Sequence, residues 1–394
     1  MPLSAPIKIL FATTMALAGF LLFQVQPMLA KYILPWFGGR ATTWIVCMLF
    51  FQMALLAGYG YAYALSRPLP THKRARYQIY FLALGLALLP ITPSDVWKPA
   101  ASDDPTLRII ALLSVSVGLP YLILSTTSPL LSRWLARLDR NLDPGRFFAA
   151  SNLGSFVGLL SYPFLFERFM ATQTQTIVWS WAFVLFALLF GSCAVIVMRR
   201  GEASLTAVEG EAKAAPKGPD ALWTWLITST LGSVLLLATT NAITQWSAVI
   251  PFLWILPLSL YLLTFVIAFG QSGLYHRTGF AIVFLLLAAA SLLMDRPDTS
   301  DAFLADLLLQ CLTLFFGCMI CHAEMAQLQP EPARLPKFYL TIAFGGALGG
   351  LLVAIAAPLL LKDYYEHPLV LIAIAGLIVW HMLTQGKNEH SHLM

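Results

Sequence analysis

Apolar residues occur along this chain in twelve long runs, separated by short segments rich in charged residues, proline and glycine. A hydrocarbon core about 30 Å thick needs about 20 apolar residues per crossing helix, and backbone groups in lipid must pair within their own segment. The pattern therefore predicts an all-α polytopic membrane protein with about twelve transmembrane helices. The runs lie near residues 7–30, 42–65, 77–94, 107–131, 147–168, 175–198, 222–244, 248–269, 279–294, 302–322, 338–361 and 368–385.

Two of these runs, at 77–94 and 279–294, are short, so the count is ten to twelve. The chain is 59% hydrophobic and 11% charged, with a mean hydropathy of +0.76, which excludes most classes of soluble enzyme. The net charge of +5 indicates membrane topology rather than nucleic-acid binding. The five cysteines fall within or at the ends of apolar runs and are interpreted as small hydrophobic residues.

The distribution of positive charge predicts the orientation in the membrane. With the N-terminus in the cytoplasm, the inner loops hold 17 of the 24 Lys and Arg residues, as the positive-inside rule requires. The first apolar run is too long for a cleaved signal peptide and no small-residue cleavage site ends it. We therefore expect a multi-pass protein of the bacterial inner membrane with both termini in the cytoplasm.

Two helices that are six runs apart share a glycine pattern. Each begins with a basic residue and aromatic residues, and the glycine pairs of the two helices are 191 residues apart. Glycines four residues apart let helices approach closely, so we predict one tightly packed helix pair in each half of the chain. The glycines concerned are Gly154 and Gly158 in the fifth run, and Gly345, Gly346, Gly349 and Gly350 in the eleventh.

Because six spans return the chain to its starting side, matching helices of the two halves run in the same direction. This parallel repeat is similar to that of major facilitator transporters. It predicts a first six-helix half at 1–198, a cytoplasmic linker at 199–220 and a second six-helix half at 221–394. The alternative is a chance likeness between transmembrane helices.

Several ordered segments carry a resemblance to a known family. They include FLLFQVQPMLAKYILPWFGG at 20–39, FFAASNLGSFVGLLSYPF at 147–164 and CHAEMAQLQPEPARLPKFYLTIAFGGALGGLLVAIAAPLL at 321–360. The chain resembles the membrane module of the spermidine synthase-like integral membrane proteins. Fused members of that family carry a cytoplasmic transferase domain after the membrane part. No glycine-rich strand–turn–helix unit for a nucleotide-like cofactor occurs in this sequence, so we expect no enzyme activity and predict no cofactor.

Amides within the predicted spans are the strongest candidates for a binding site, because a polar group in lipid must find a partner. The leading hypothesis is a transporter-like carrier of a small solute, which rocks its two halves around these amides. The alternative for the amides is hydrogen bonding that only joins helices. The predicted site residues are Gln24, Gln26, Gln52, Asn241 and Gln245.

A different class of function also fits the resemblance. Because relatives fuse this module to an enzyme, the protein is alternatively a non-catalytic scaffold that recruits a separate cytoplasmic transferase or another membrane protein. The lipid bilayer is the one partner that composition itself predicts, and no nucleic-acid partner is expected.

One stripe of sulfur and imidazole side chains suggests a metal site. Cys318, Cys321, His322 and Met325 are spaced i, i+3, i+4 and i+7, and such ligands suit Cu(I) or Zn(II). Ordinary helix packing produces the same spacing, and a straight helix projects its side chains in a line rather than around an ion. Residues 318–322 also match the haem c attachment pattern, but the predicted topology puts them at the inner end of a span. Packing is therefore the favoured interpretation.

Overall fold

The computed structural model describes residues 3–37, 41–66, 71–99, 105–139, 142–208, 221–244, 251–270, 273–294, 300–331, 334–362 and 365–391. These residues form twelve helical rods and no β-strand. In chain order the rods are α1 (Ala5–Ile33), α2 (Ala41–Ser66), α3 (Thr71–Ala87), α4 (105–138), α5 (144–169), α6 (Thr172–Val208), α7 (Leu222–Thr244), α8 (Pro251–Phe269), α9 (Arg277–Leu293), α10 (Ser300–Gln327), α11 (335–360) and α12 (Glu366–Ser391).

Eight of the described helices are long and apolar enough to cross a membrane, namely α1, α2, α4, α5, α6, α7, α10 and α11. Three more contain shorter apolar stretches, at Ile255–Phe269, Arg277–Leu293 and Glu366–Trp380. The protein is therefore an all-helical, multi-pass membrane protein, as the sequence predicts. The twelve rods coincide with the twelve apolar runs, apart from shifts at their ends.

The third rod departs most from its predicted position. The apolar run at 77–94 predicts a helix there, whereas α3 begins at Thr71 and ends at Ala87. Pro90 and Pro93 explain the early end, because proline disfavours helical geometry at the residue before it and offers no N–H. With 17 residues and basic residues in its first turns, α3 is not among the helices long and apolar enough to cross a membrane.

The chain forms two compact units. Unit 1 comprises Met1–Leu222 with Gln329–Phe344, and unit 2 comprises Trp223–Leu328 with Gly345–Met394. Helix α6 continues to Val208, so residues 199–208 of the predicted linker are helical, whereas 209–220 lie outside the described residues.

Large aromatic side chains fill the core of unit 1. Trp179, Phe183, Phe186 and Phe190 follow one another along one face of α6, with successive ring centroids 5.5–5.8 Å apart. This spacing of three or four residues is the one that places side chains on a single helix face. The indole N–H of Trp179 also donates to the Leu21 carbonyl of α1, at 3.0 Å, and so joins α6 to α1.

Glycines hold α5 against α1 in unit 1. A Cβ atom added to Gly154 would lie 1.9 Å from the carbonyl oxygen of Ala16, and one added to Gly158 would lie 2.4 Å from that of Phe20. Real Cβ atoms do not come this close to a backbone oxygen, so only glycine permits the observed approach.

Within unit 2, the equivalent glycines of α11 pack against α7 in a similar way. A Cβ atom added to Gly345 would lie 1.9 Å from Ser229 Oγ, and one added to Gly349 would lie 2.7 Å from Ser233 Cβ. Gly346 differs, because nothing lies within 4 Å of where its Cβ would be. Its carbonyl instead accepts a hydrogen bond from Ser233 Oγ at 2.9 Å, and Gly350 is buried on the same helix.

Both glycine-bearing helices also contain a wide π-turn. The turn covers Tyr162–Phe166 in α5 and Leu352–Ala356 in α11, 190 residues later. A third π-turn, Ser114–Gly118, interrupts α4. A single-turn π-bulge inserts a residue into the helix and often marks a functional position. The matching turns in α5 and α11 extend the similarity between the two sets of helices beyond the glycines.

Candidate functional site

The two predicted glutamines of α1 have different surroundings. Both are buried in unit 1, but side chains two residues apart on a helix do not face each other. Gln26 Nε2 donates to the hydroxyl of Tyr121 at 3.2 Å and to the Leu22 carbonyl at 3.3 Å. Gln24 Nε2 has no hydrogen-bond partner among the described residues.

The remaining predicted amides are less enclosed. Gln52 lies half-buried on α2 in unit 1, and Asn241 lies half-buried on α7 in unit 2. Gln245 lies outside the described residues. The four described residues of the predicted site are thus divided between two units, and the structure describes contacts for the amides of Gln26 and Asn241.

Buried hydroxyl groups follow α4 through unit 1. Gln78 Nε2 of α3 donates to Thr126 Oγ1 at 2.9 Å, and Ser128 Oγ lies 2.7 Å from Ser151 Oγ of α5. Hydroxyls of α4 also bond to carbonyls one turn earlier in their own helix, as Thr126 does with Ile123. These hydrogen bonds join α3, α4 and α5, which is the helix-joining role that buried polar side chains commonly have in membranes. Gln78 Oε1 has no partner among the described residues.

In unit 2, Asn241 has a carboxylate partner that the sequence did not reveal. Asn241 Nδ2 donates to Glu366 Oε1 at 3.3 Å, and Glu366 is buried in the first turn of α12. A helix N-terminus favours negative charge, which helps to hold a carboxylate there. Glu366 precedes the apolar run in the sequence, so its burial follows from tertiary contacts such as that with Asn241 rather than from hydropathy.

A second buried carboxylate of unit 2 belongs to an ion pair. Arg277 at the start of α9 places a guanidinium nitrogen 2.7 Å from Glu324 Oε1 on α10, and Glu324 is almost completely buried. The nearby loop residue Tyr275 has a buried hydroxyl, and its pKa is raised by burial and by the negative charge of Glu324. The sequence contains a signal for this pair: Arg277 begins one helix and Glu324 lies near the end of the next, so both fall at the same side of the membrane.

His322 is enclosed by the aromatic residues of α8. Its imidazole ring stacks on Phe265, with centroids 3.7 Å apart and an interplanar angle of 25°, and meets the edge of Tyr261 at 4.8 Å. On the opposite helix, a Cβ atom at Gly232 would lie 3.2 Å from His322 Nε2. The ring therefore lies between α7 and α8 and is completely buried.

The hydrogen bonds of Thr264 assign the tautomer of His322. Thr264 Oγ1 lies 2.7 Å from the Tyr261 carbonyl, to which it donates its single proton, and 2.9 Å from His322 Nδ1. Because a hydroxyl has one proton to donate, Thr264 accepts from His322, and the imidazole proton is on Nδ1. His322 Nε2 is then a bare lone pair, and it has no partner among the described residues.

This assignment is testable on the intact protein. We expect nitrogen-15 spectra of histidine-labelled protein to show His322 protonated at Nδ1 and bare at Nε2, with His322→Asn identifying the signals. Thr264→Val removes the acceptor, so we expect the tautomer to change and the free energy of unfolding to fall by about 0.6 kcal/mol, the average for interhelical hydrogen bonds in membranes. A wild-type spectrum with the proton on Nε2 would contradict the assignment.

The sulfur and imidazole stripe is packed rather than gathered around one point. Cys318 Sγ approaches the Gly232 carbonyl at 3.8 Å, and Cys321 and Met325 are fully buried beside it. Within the described ranges, which include all four stripe residues, no group of three or more His, Cys, Asp or Glu side chains could hold a metal ion.

Comparisons with solved structures identify the fold. The chain is similar to the proton:xylose symporter XylE of the major facilitator superfamily bound to 6-bromo-6-deoxy-D-glucose, with a TM-score of 0.56, 13% identity and 96% of each chain covered. It is similar to the POT family transporter PepTSo, with a TM-score of 0.59, 12% identity and 99% of each chain covered.

A third similar structure is a bacterial homologue of the iron transporter ferroportin in its outward-facing state with soaked iron. Its TM-score is 0.55 at 14% identity, with 93% of this chain and 96% of that chain covered. No protein-family profile and no curated protein matches the sequence. The chain therefore has a major-facilitator-like fold.

Proposed function

We propose that this protein is a carrier of a small solute. Its solved structural neighbours are transporters, and their likeness covers nearly the whole chain. The observation that carries the proposal is the presence of buried polar atoms inside its apolar helices, such as Gln24 Nε2 and His322 Nε2, that have no partner among the described residues. An unpaired buried group costs about 1–3 kcal/mol, so its retention favours a role in binding rather than in stability.

The amides predicted from the sequence are the proposed contacts for the solute, and the structure adds two groups to them. Gln26 is accompanied by the hydroxyl of Tyr121, and Asn241 by the carboxylate of Glu366. Amide, phenol and carboxylate groups suit a neutral polar solute or a cation rather than an anion. Gln24, Gln52 and Gln245 complete the proposed set.

Uptake into proteoliposomes tests this proposal. The purified protein is first screened by thermal shift for solutes that raise its melting temperature, since a ligand of the folded state stabilises it. The stabilising solutes are then offered as radiolabelled substrates to wild-type, Gln26→Ala and Asn241→Ala vesicles.

We expect each substitution to lower the initial uptake rate at least about tenfold, the equivalent of 1.4 kcal/mol of lost binding. Gln173→Ala, which removes an exposed amide from α6, is the matched control and should transport normally. Unchanged uptake of every stabilising solute in both site variants would show that these amides are not the site.

We also propose a bacterial inner membrane location with both termini in the cytoplasm, which is supported by the charge distribution of the loops. Membership of the spermidine synthase-like membrane family stays a proposal supported by the quoted segments. Two of these contain the α5 and α11 glycines that contact α1 and α7. Recruitment of a separate transferase stays a prediction of that resemblance.

A further inference from the structure

The register between α1 and α5 brings Gln24 and Tyr162 to the same level of unit 1. Ala16 contacts Gly154 and Phe20 contacts Gly158, and the offset is 138 residues in both contacts. The two helices run in the same direction, so one further turn along each helix reaches Gln24 and Tyr162, again 138 residues apart. The two side chains therefore occupy the same layer of the seam between α1 and α5.

Both side chains are buried and neither has its hydrogen bonds. Gln24 is 3% exposed and Tyr162 is 2% exposed. Neither Gln24 Nε2 nor the Tyr162 hydroxyl has a partner within the described part of the chain. Two unpaired donors in one layer of a lipid-embedded seam are costly, because no solvent is available to satisfy them. They also do not bond to each other.

The backbone is interrupted in the same layer on both helices. Pro27 follows Gln24 by three residues and has no N–H, so the regular helical hydrogen bond to the carbonyl of Phe23 cannot form. In α5 the π-turn begins at Tyr162, and Pro163 is its second residue. The layer therefore contains two side-chain donors and one backbone acceptor that the regular helix leaves unused.

The charge beside this layer is balanced. Glu167 is close enough to Tyr162 to interact with its hydroxyl electrostatically, and Lys31 forms an ion pair with Glu167. Because Lys31 compensates the Glu167 carboxylate, this carboxylate does not by itself favour a cation in the layer. The chemistry that fits two donors and one acceptor is a hydroxyl group, which both accepts and donates.

We infer that Gln24 and Tyr162 bind a hydroxyl oxygen of a small neutral polyol between α1 and α5. This inference rests on the proposed carrier function and names the class of its solute. An ordered water molecule offers the same hydrogen bonds, and the experiment separates the two. The substitution Tyr162→Phe removes only the hydroxyl, and Gln24→Leu removes only the amide while keeping the volume nearly constant.

The test measures the melting temperature of the full-length purified protein against increasing glycerol, erythritol and myo-inositol, with ethanolamine and gluconate as charged probes. Polyols at high concentration stabilise most proteins by exclusion from the surface, so the criterion is saturation rather than stabilisation. Tyr80→Phe, which alters an exposed tyrosine of α3, is the matched control.

We expect at least one polyol to raise the melting temperature of the wild-type protein saturably. The half-saturating concentration should be at least about tenfold higher in Tyr162→Phe and Gln24→Leu, and Tyr80→Phe should respond like wild type. Without polyol, the site variants should melt no lower than wild type, because their removed groups have no partner. Equal responses in all variants would overturn the site while leaving the carrier function intact. A response to charged probes alone would overturn the solute class.

Suppose that no polyol stabilises the wild-type protein saturably and that a site variant melts lower than wild type without polyol. This result would identify the bound molecule as water and overturn the inference. If the protein transported another class of solute and the Gln24 and Tyr162 substitutions left that transport unchanged, the inference would also be overturned, while the carrier proposal would stand. If the wild-type protein bound polyols saturably but took up none of the stabilising solutes into proteoliposomes, the carrier proposal would be contradicted instead.

Discussion

Replacement of Gly154 by valine is expected to lower the free energy of unfolding by about 3 kcal/mol or more. The added Cβ would lie 1.9 Å from the Ala16 carbonyl oxygen and 2.8 Å from its Cα, so the obstruction is backbone and no side-chain rotation relieves it. The helices α1 and α5 would have to separate, and overpacking of this kind typically costs 1–3 kcal/mol or more. The loss includes the contacts of the whole α1–α5 seam.

Unfolding of the detergent-purified protein, followed by thermal shift and by denaturant titration, measures this effect. Gly191→Val is the matched control, because Gly191 also lies in a helix, α6, but nothing lies within 4 Å of its Cβ position. Both variants replace a helical glycine with the same β-branched residue, so propensity terms cancel. Equal stability of the two variants would show that α5 does not rest directly on α1.

Removal of the Arg277 guanidinium is expected to cost about 3 kcal/mol, at the lower end of the range for breaking a buried ion pair. Arg277→Ala takes away the cation that lies 2.7 Å from the Glu324 carboxylate, and the Glu324 side chain is only 6% exposed. A carboxylate near the C-terminal end of α10 also faces the negative end of the helix dipole, so its compensation matters more there. Arg277→Lys should restore part of the loss.

An exposed ion pair in the same protein provides the comparison. Lys98 and Asp95 lie 2.9 Å apart, but their side chains are 51% and 79% exposed. Pairs of this kind contribute about 0–1 kcal/mol, so Lys98→Ala should leave the unfolding curve nearly unchanged. A double-mutant cycle with Glu324→Gln isolates the buried pair, and a coupling energy near zero would contradict the role assigned to it.

The fold class could be read from hydropathy because lipid imposes one rule on every segment. Twelve apolar runs predict twelve rods, and the glycines of the fifth and eleventh runs predict two close helix pairs, since glycine spacing along one helix face is a local property. The apolar-run criterion predicted the wrong bounds for α3, because it extended the helix across Pro90 and Pro93. The prediction treated the α11 glycines alike, whereas Gly345 and Gly349 meet α7 at their Cβ positions and Gly346 contacts it through its carbonyl.

The candidate site was only partly visible in the sequence. Gln24 and Gln26 were selected as amides in lipid, and the sequence treats them alike. In the structure Gln26 bonds to Tyr121, whereas Gln24 Nε2 has no partner among the described residues. Glu324 and Glu366 escaped notice because they lie near helix ends, where acids are usually solvated. Their burial requires Arg277 and Asn241 from other helices.

By itself, the sequence determined that this chain lies in lipid, forms about twelve helices and carries glycines where helices meet, because these properties depend on composition and on spacing along single segments. Only the tertiary structure decided which polar groups are paired. Hydrogen bonds such as that between Thr264 and His322 join residues far apart in sequence, and no periodicity encodes them. The polar atoms without partners among the described residues, on which the proposed binding site rests, therefore emerge only after the helices have packed.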